Sequence, residues 1–120
     1  MSYMLLIIQR HEEFEGLAVE EGRRRYDRMM AFGRDLAERG VLVAGESLGT
    51  DRSGVRLKKR GGRQTMVDGP FAEAKEIVGG FFHLDCDSVE EATAIAETCP
   101  AAEWSTVEIR KIGTCWEDLA

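Results

Sequence analysis

A chain of 120 residues with 43% hydrophobic side chains holds enough apolar material for one packed domain and needs neither a metal nor a disulfide to fold. Its 16 Lys and Arg against 22 Asp and Glu leave a formal net charge of −6. That balance excludes a broad nucleic-acid or anionic-membrane surface, since both partners are themselves negative, and the apolar share excludes general disorder.

The chain opens on a short apolar run, Tyr3 to Gln9, with Arg10, His11 and Glu12 directly behind it. The run is too short for a signal peptide or a membrane span, and it is apolar on both alternating faces, which predicts a central strand covered on both sides. Glu21 to Arg39 then predicts a helix. Tyr26, Met29, Met30, Gly33, Leu36 and Ala37 recur at helical spacing and read as one buried core stripe rather than the lining of a ligand box. Gly40 is placed to end that helix in the left-handed conformation.

Val41 to Leu48 predicts the second strand. Val55 to Arg60 and Arg63 to Val67 flank Gly61-Gly62, a pair suited to a two-residue hairpin turn because both positions need positive φ. The cluster Lys58-Lys59-Arg60 with Arg63 makes a basic tip that reads as a solvated edge. In the turn Asp68-Gly69-Pro70-Phe71, Asp68 is expected to cap the amides that follow and Pro70 to start a helical turn. Ile77 to Cys86 predicts another strand apolar on both faces, with a bulge at Gly79-Gly80. Ser88 and Glu91 form a capping box for a second helix buried through Val89, Ala92, Ile95, Ala96 and Cys99. Trp104 to Ile112 predicts the last strand.

The order β-α-β, hairpin, β-α-β predicts an α+β chain: a ferredoxin-like split β-α-β pattern with an inserted β-hairpin. Both helices then cover one sheet face. The two strands that are apolar on both sides would lie in the middle of the sheet, so the other face needs a cover. A second copy of the chain is the simplest one, giving a homodimer.

Cys86, Cys99 and Cys115 form no CxxC pair, and their odd number fits a reducing cytoplasm better than a disulfide framework. His11 and His83 have no second ligand nearby in sequence, so no metal and no cofactor is expected. Alternation in the last strand sends Glu108 and Arg110 to the face away from the helices, and Phe81, His83 and Asp85 are expected on that side, with Glu46 joining them. There, His83 offers acid/base chemistry near neutral pH and Arg110 a grip on an anionic oxygen, although Glu108 and Arg110 also read as a simple ion pair. Asp68, Phe71, Glu73 and Lys75 stand as candidates at the mouth of the same pocket.

Tyr3-Met4-Leu5-Leu6-Ile7, Gly40 to Leu48, Asp68-Gly69-Pro70-Phe71-Ala72-Glu73-Ala74-Lys75-Glu76, Gly79-Gly80-Phe81-Phe82, Glu90-Glu91-Ala92 and Val107-Glu108-Ile109-Arg110 together resemble the YCII-related family, and within it the DGPF group. The resemblance covers nearly the whole chain in order. It implies a dimeric α/β barrel. Some relatives carry a His–Asp dyad proposed as an active site, and lyase-type chemistry is attached to some of them. Counting back from Gly40 by the family's spacing reaches Met29 here, so that histidine is not carried over. The resemblance also implies encoding beside extracytoplasmic-function sigma factors. Two readings follow. One is a small-molecule-binding protein, of acid/base lyase type, with its pocket between the sheet and a dimer partner. The other is a regulatory interaction module linked to a sigma factor.

Overall fold

In the computed structural model, which describes Ser2–Leu119, the sheet is built around the strand that is apolar on both sides. β1 (Ser2–Gln9) alternates buried Tyr3, Leu5 and Ile7 with half-buried Met4, Leu6 and Ile8. It pairs antiparallel with β5 (Ile77–Asp85) on one side and β6 (Thr106–Lys111) on the other. β2 (Leu42–Ser47) pairs with β5, giving the strand order β2-β5-β1-β6. The two strands expected in the middle are therefore in the middle.

Register assigns the faces, because directly opposed residues project to the same side of a sheet. Tyr3 faces Leu84, Leu5 lies between Phe82 and Ile109, and Ile7 between Gly80 and Val107. These residues look toward α1 (Val19–Glu38) and α2 (Val89–Glu97), where Tyr3, Leu5, Ile7 and Leu84 join Phe32, Leu36, Ala92, Ile95 and Ala96 in one core. On the other side, Met4 lies between His83 and Arg110, and Leu6 between Phe81 and Glu108. Glu46 pairs with Phe81 on the same side. Among the described residues neither helix forms a layer over that face.

Local signals explain the joints. Gly40 takes φ 75° and lets the Val41 amide donate back to the Leu36 carbonyl at 3.1 Å, which ends α1. Register slips between Ile7 and Ile8 so that Gly79 is the unpaired bulge residue, and a Cβ there would lie 2.4 Å from the Gln9 side chain. The Ser88 hydroxyl accepts the Glu91 amide at 3.1 Å, while the Glu91 carboxylate reaches back to the Asp87 amide at 3.0 Å, one residue earlier than the capping-box pattern places it.

β3 (Val55–Arg60) and β4 (Arg63–Asp68) pair only with one another, in a separate two-stranded sheet whose twelve residues are all exposed. Their turn has Gly61 and Gly62 at φ 57° and 77°. The last strand begins at Thr106, since Trp104 closes a short 3-10 turn, Pro100–Glu103. Among the described residues no helix is long and apolar enough to cross a membrane.

Three packing expectations are corrected. Val89 is 47% exposed instead of buried, because α2 meets the sheet through Ala92, Ile95 and Ala96 alone. On α1, Tyr26 is 50% and Met30 43% exposed, while Phe32, outside the expected stripe, is buried beside Leu36. The buried face of α1 is turned by about one residue from the stripe, and Phe32 sets it by packing edge-on against Phe82 with ring centroids 5.2 Å apart. The turn after β4 also differs: the Phe71 amide donates to Asp51, not Asp68, and the segment makes one tight turn, Ala74 amide to Phe71 carbonyl, without continuing into a helix.

Candidate functional site

The stripe on α1 that reads as core in the sequence instead roofs a chamber. Tyr26, Met29, Met30, Gly33 and Ala37 line one side of a cavity of about 530 Å³, and Ile7, Gln9, Gly45, Gly80 and Phe82 of the sheet line the other. Phe14 and Leu17 from the β1–α1 connection and Trp104 from the turn before β6 complete its walls. Glycine makes room for it. A Cβ on Gly45 would stand 2.9 Å from the Phe82 ring and one on Gly33 3.4 Å from it, so both positions keep open the space that the Phe82 ring occupies beneath the helix. The volume lies within the range of ligand pockets, and the lining has the composition of one: mostly apolar and aromatic, with a few polar groups.

Two cations, Arg25 and Arg34, belong to that lining. The Arg25 guanidinium lies 5.0 Å above the Trp104 ring, its Nε donates to Glu21 at 3.2 Å, and its Nη1 donates to the Glu13 carbonyl at 3.3 Å. Those bonds use two of the five N–H donors of the fork, so an oxyanion in the chamber could take others. Glu13 and Gln9, which also line it, come from either side of His11.

His11 forms a pair that no local spacing announces. Its Nε2 lies 2.7 Å from Oδ2 of Asp51, forty positions along the chain. Both side chains are largely covered, at 17% and 7% exposure, and the His11 ring rests against Phe14 at 5.7 Å. The Asp51 hydrogen bond raises the His11 pKa against a smaller opposing effect of burial. The same bond, followed by the Phe71 amide at 2.9 Å, lowers that of Asp51. An ionised carboxylate facing an imidazolium is the state this geometry favours. Asp51 thus ties the β1–α1 connection to the Asp68–Phe71 turn. Gly69 is obligatory there, because a Cβ would fall 1.7 Å from the Asp51 carbonyl oxygen. On its far side Asp51 borders a second cavity of about 350 Å³, shared with Arg56, Phe71 and Glu76.

The residues singled out from sequence fall into two groups, and of them only Glu46 and Phe81 are among the residues lining the large chamber. Phe71 is buried beneath the Arg56 guanidinium at 4.1 Å, and Arg56 also reaches Glu73 at 3.7 Å. Asp68 and Lys75 are exposed near this cluster at the base of the hairpin. His83, Glu108 and Arg110 share the open sheet face, as alternation predicts, with Phe81 and Glu46 beside them. There Arg110 Nη1 reaches Glu108 Oε2 at 3.5 Å, while His83 Nε2 is sealed from solvent without a hydrogen-bond partner among the described residues. Cys86 and Cys99 are buried, which pushes both thiols up, and Cys115 is exposed.

The YCII-related domain family matches residues 1–115. The chain belongs to that family. An uncharacterised protein of Rhizobium meliloti (strain 1021), R00369, is 31% identical over 106 residues, covering 88% of this chain and 86% of that one. Among solved structures, the 5-chloro-2-hydroxyhydroquinone dehydrochlorinase TftG of Burkholderia phenoliruptrix AC1100, in complex with 2,5-dihydroxybenzoquinone, superposes with a TM-score of 0.53 at 13% identity over 94% of both chains. At that identity the likeness is one of fold: this YCII-family chain shares the α+β, ferredoxin-like architecture. The His–Asp pair found here uses His11, ahead of α1. The helical position read from the family's spacing is Met29, which lines the chamber.

Proposed function

We propose that the chain is a small-molecule-binding protein of acid/base lyase type, and that its ligand site is the chamber beneath α1. The cavity itself carries this reading: about 530 Å³, walled by Phe14, Tyr26, Phe82 and Trp104, with Arg25 and Arg34 as its cations. Aromatic walls and guanidinium groups suit a compact ring bearing an ionised oxygen. The solved neighbour of the same fold holds 2,5-dihydroxybenzoquinone, a molecule of that class. Proton transfer falls to the His11–Asp51 pair, whose His11 lies in the chain between chamber-lining Gln9 and Glu13 and whose carboxylate fixes the imidazole as an acid/base group requires. Within the family we assign the chain to the DGPF group, on the string Asp68 to Glu76.

We further propose that a second copy covers the open sheet face, as in a dimeric α/β barrel. Met4, Leu6, Ile8 and Phe81 support this, since they form an apolar band on a face that the chain itself does not cover. His83, Glu108 and Arg110 would then lie between the two sheets.

The test of the chamber is a thermal-shift and calorimetric screen of hydroxylated and carboxylated aromatic compounds against the wild-type chain and Gly33→Leu, which fills the cavity from the helix side. A compound that raises the wild-type melting temperature by several degrees should lose at least tenfold in affinity for the variant. Equal binding to both, or no stabilisation by any compound of the class, removes the chamber as the site.

A further inference from the structure

The hairpin Val55–Asp68 has two chemically different faces. Opposed pairs put Val55, Leu57 and Met66 on one face, bordered by Asp68 at the base and by Lys59 and Gln64 toward the tip, and Arg56, Lys58, Arg60 and Arg63 on the other, with Val67 and Thr65. Val55, Leu57 and Met66 are 54%, 54% and 63% exposed. A two-stranded ribbon of this kind is marginally stable alone in water, and natural hairpins bury an apolar face against something. Among the described residues the ribbon is held at its base, where the Gly69 amide donates to the Gly54 carbonyl at 2.8 Å and Arg56 covers Phe71. The projection shows in the molecule's size. The radius of gyration is 16.2 Å, against about 13.6 Å for a compact domain of this length.

We propose that the hairpin is an arm that lays its apolar face on a second copy of this chain and clasps the dimer. The inference rests on the proposed pairing of open sheet faces and adds the element that secures it. Charge selects a second copy as the occupant. The arm carries five basic residues and one acidic one, so the remaining residues hold 11 basic and 21 acidic side chains, a balance of −10 under a +4 arm. A like-charged partner would repel one of the two surfaces, whereas a second copy offers an acidic body to each arm in a closed two-fold arrangement. Area points the same way. A four-stranded face about 20 Å on each side gives roughly 400 Å² per protomer, and an arm of six-residue strands adds roughly 200 Å². Together they reach about 1,200 Å² for the pair, the lower bound for a specific interface, which the sheet face alone does not reach.

Sedimentation equilibrium of the full chain, between 1 and 100 μM, tests this with two variants. Leu57→Glu with Met66→Glu removes the apolar face of the arm, and Lys58→Glu with Arg60→Glu and Arg63→Glu reverses its charge. Both sets lie outside the core, so circular dichroism and the melting temperature at 1 μM should match wild type. The expected result is a wild-type dimer whose dissociation constant rises at least tenfold in each variant. A dimer of unchanged affinity in both variants overturns the arm while leaving the sheet-face pairing intact. A wild-type chain that stays monomeric at 100 μM overturns both.

Discussion

Asp51 joins two separate parts of this molecule through one side chain. One carboxylate receives His11 from the segment after β1 and the Phe71 amide from the turn after β4. Its effect depends on pH in a direction the two shifts fix. The raised His11 pKa means that His11 contributes stability fully below its unfolded value near 6.5, and loses it as pH rises through the folded value above that. The lowered Asp51 pKa means the carboxylate contributes above its unfolded value near 3.9, and loses it as pH falls through the folded one. The ionised pair therefore works between those limits. His11→Ala should destabilise the chain more at pH 5.5 than at pH 9 in urea melts monitored by fluorescence. A penalty that is flat across that range, or larger at pH 9, would mean that the two groups are not paired as charges. The pair was not legible in the sequence, because its members stand forty positions apart and meet only once the turn after β2 is folded against the segment after β1. Gly69 was legible as a turn glycine but not as a packing one; its contact with the Asp51 carbonyl exists only in three dimensions. Gly69→Ala should accordingly cost about 3 kcal/mol or more, as a clash with backbone that neither side can relieve.

At the scale of elements, periodicity located the strands and both helices, and alternation put His83, Glu108 and Arg110 on the correct face of the sheet. What periodicity could not do is separate apolar residues that fill space from apolar residues that surround it. The stripe on α1 holds both kinds. Leu36 is fully buried between helix and sheet, whereas Met29, Met30, Gly33 and Ala37 look into the chamber. Composition gives the two groups the same signature, and only the shape of the opposing sheet tells them apart. There, Gly45 and Gly80 carry no side chain beneath the helix, so Phe82 is the large side chain that the neighbouring strand positions raise toward it. The two kinds should behave oppositely on truncation. Leu36→Ala opens a new void in packed core and should cost about 3 kcal/mol in chemical denaturation. Met30→Ala enlarges an existing cavity and removes a side chain already 43% exposed, so it should cost less than about 1 kcal/mol. Comparable losses for the two would mean that the chamber is closed by packing in solution.

For the whole molecule, the net charge of −6 conceals a separation that bears on its assembly. The domain is a slab only 19 Å thick, one helical layer on one sheet, and the other sheet face is uncovered. Its hairpin has no layer of its own. A fold of this kind leaves two apolar surfaces in water, the band Met4, Leu6, Ile8 and Phe81 and the face Val55, Leu57 and Met66, and their exposure is removed together if each copy supplies what the other lacks. The two surfaces should then differ from the core in how their protection responds to concentration. Amides of β1 and β5 are bonded on both sides within one chain, so their exchange should track global unfolding. Amides of β3 and β4 are bonded only within a two-stranded ribbon, which opens readily in an isolated chain. Hydrogen exchange measured at 1 and 100 μM should therefore show the Val55–Asp68 segment slowing at least tenfold with concentration, beyond any change in the central strands. If the ribbon exchanges at one rate across that range while sedimentation reports dimer, the arm lies free and the copies meet through their sheets alone.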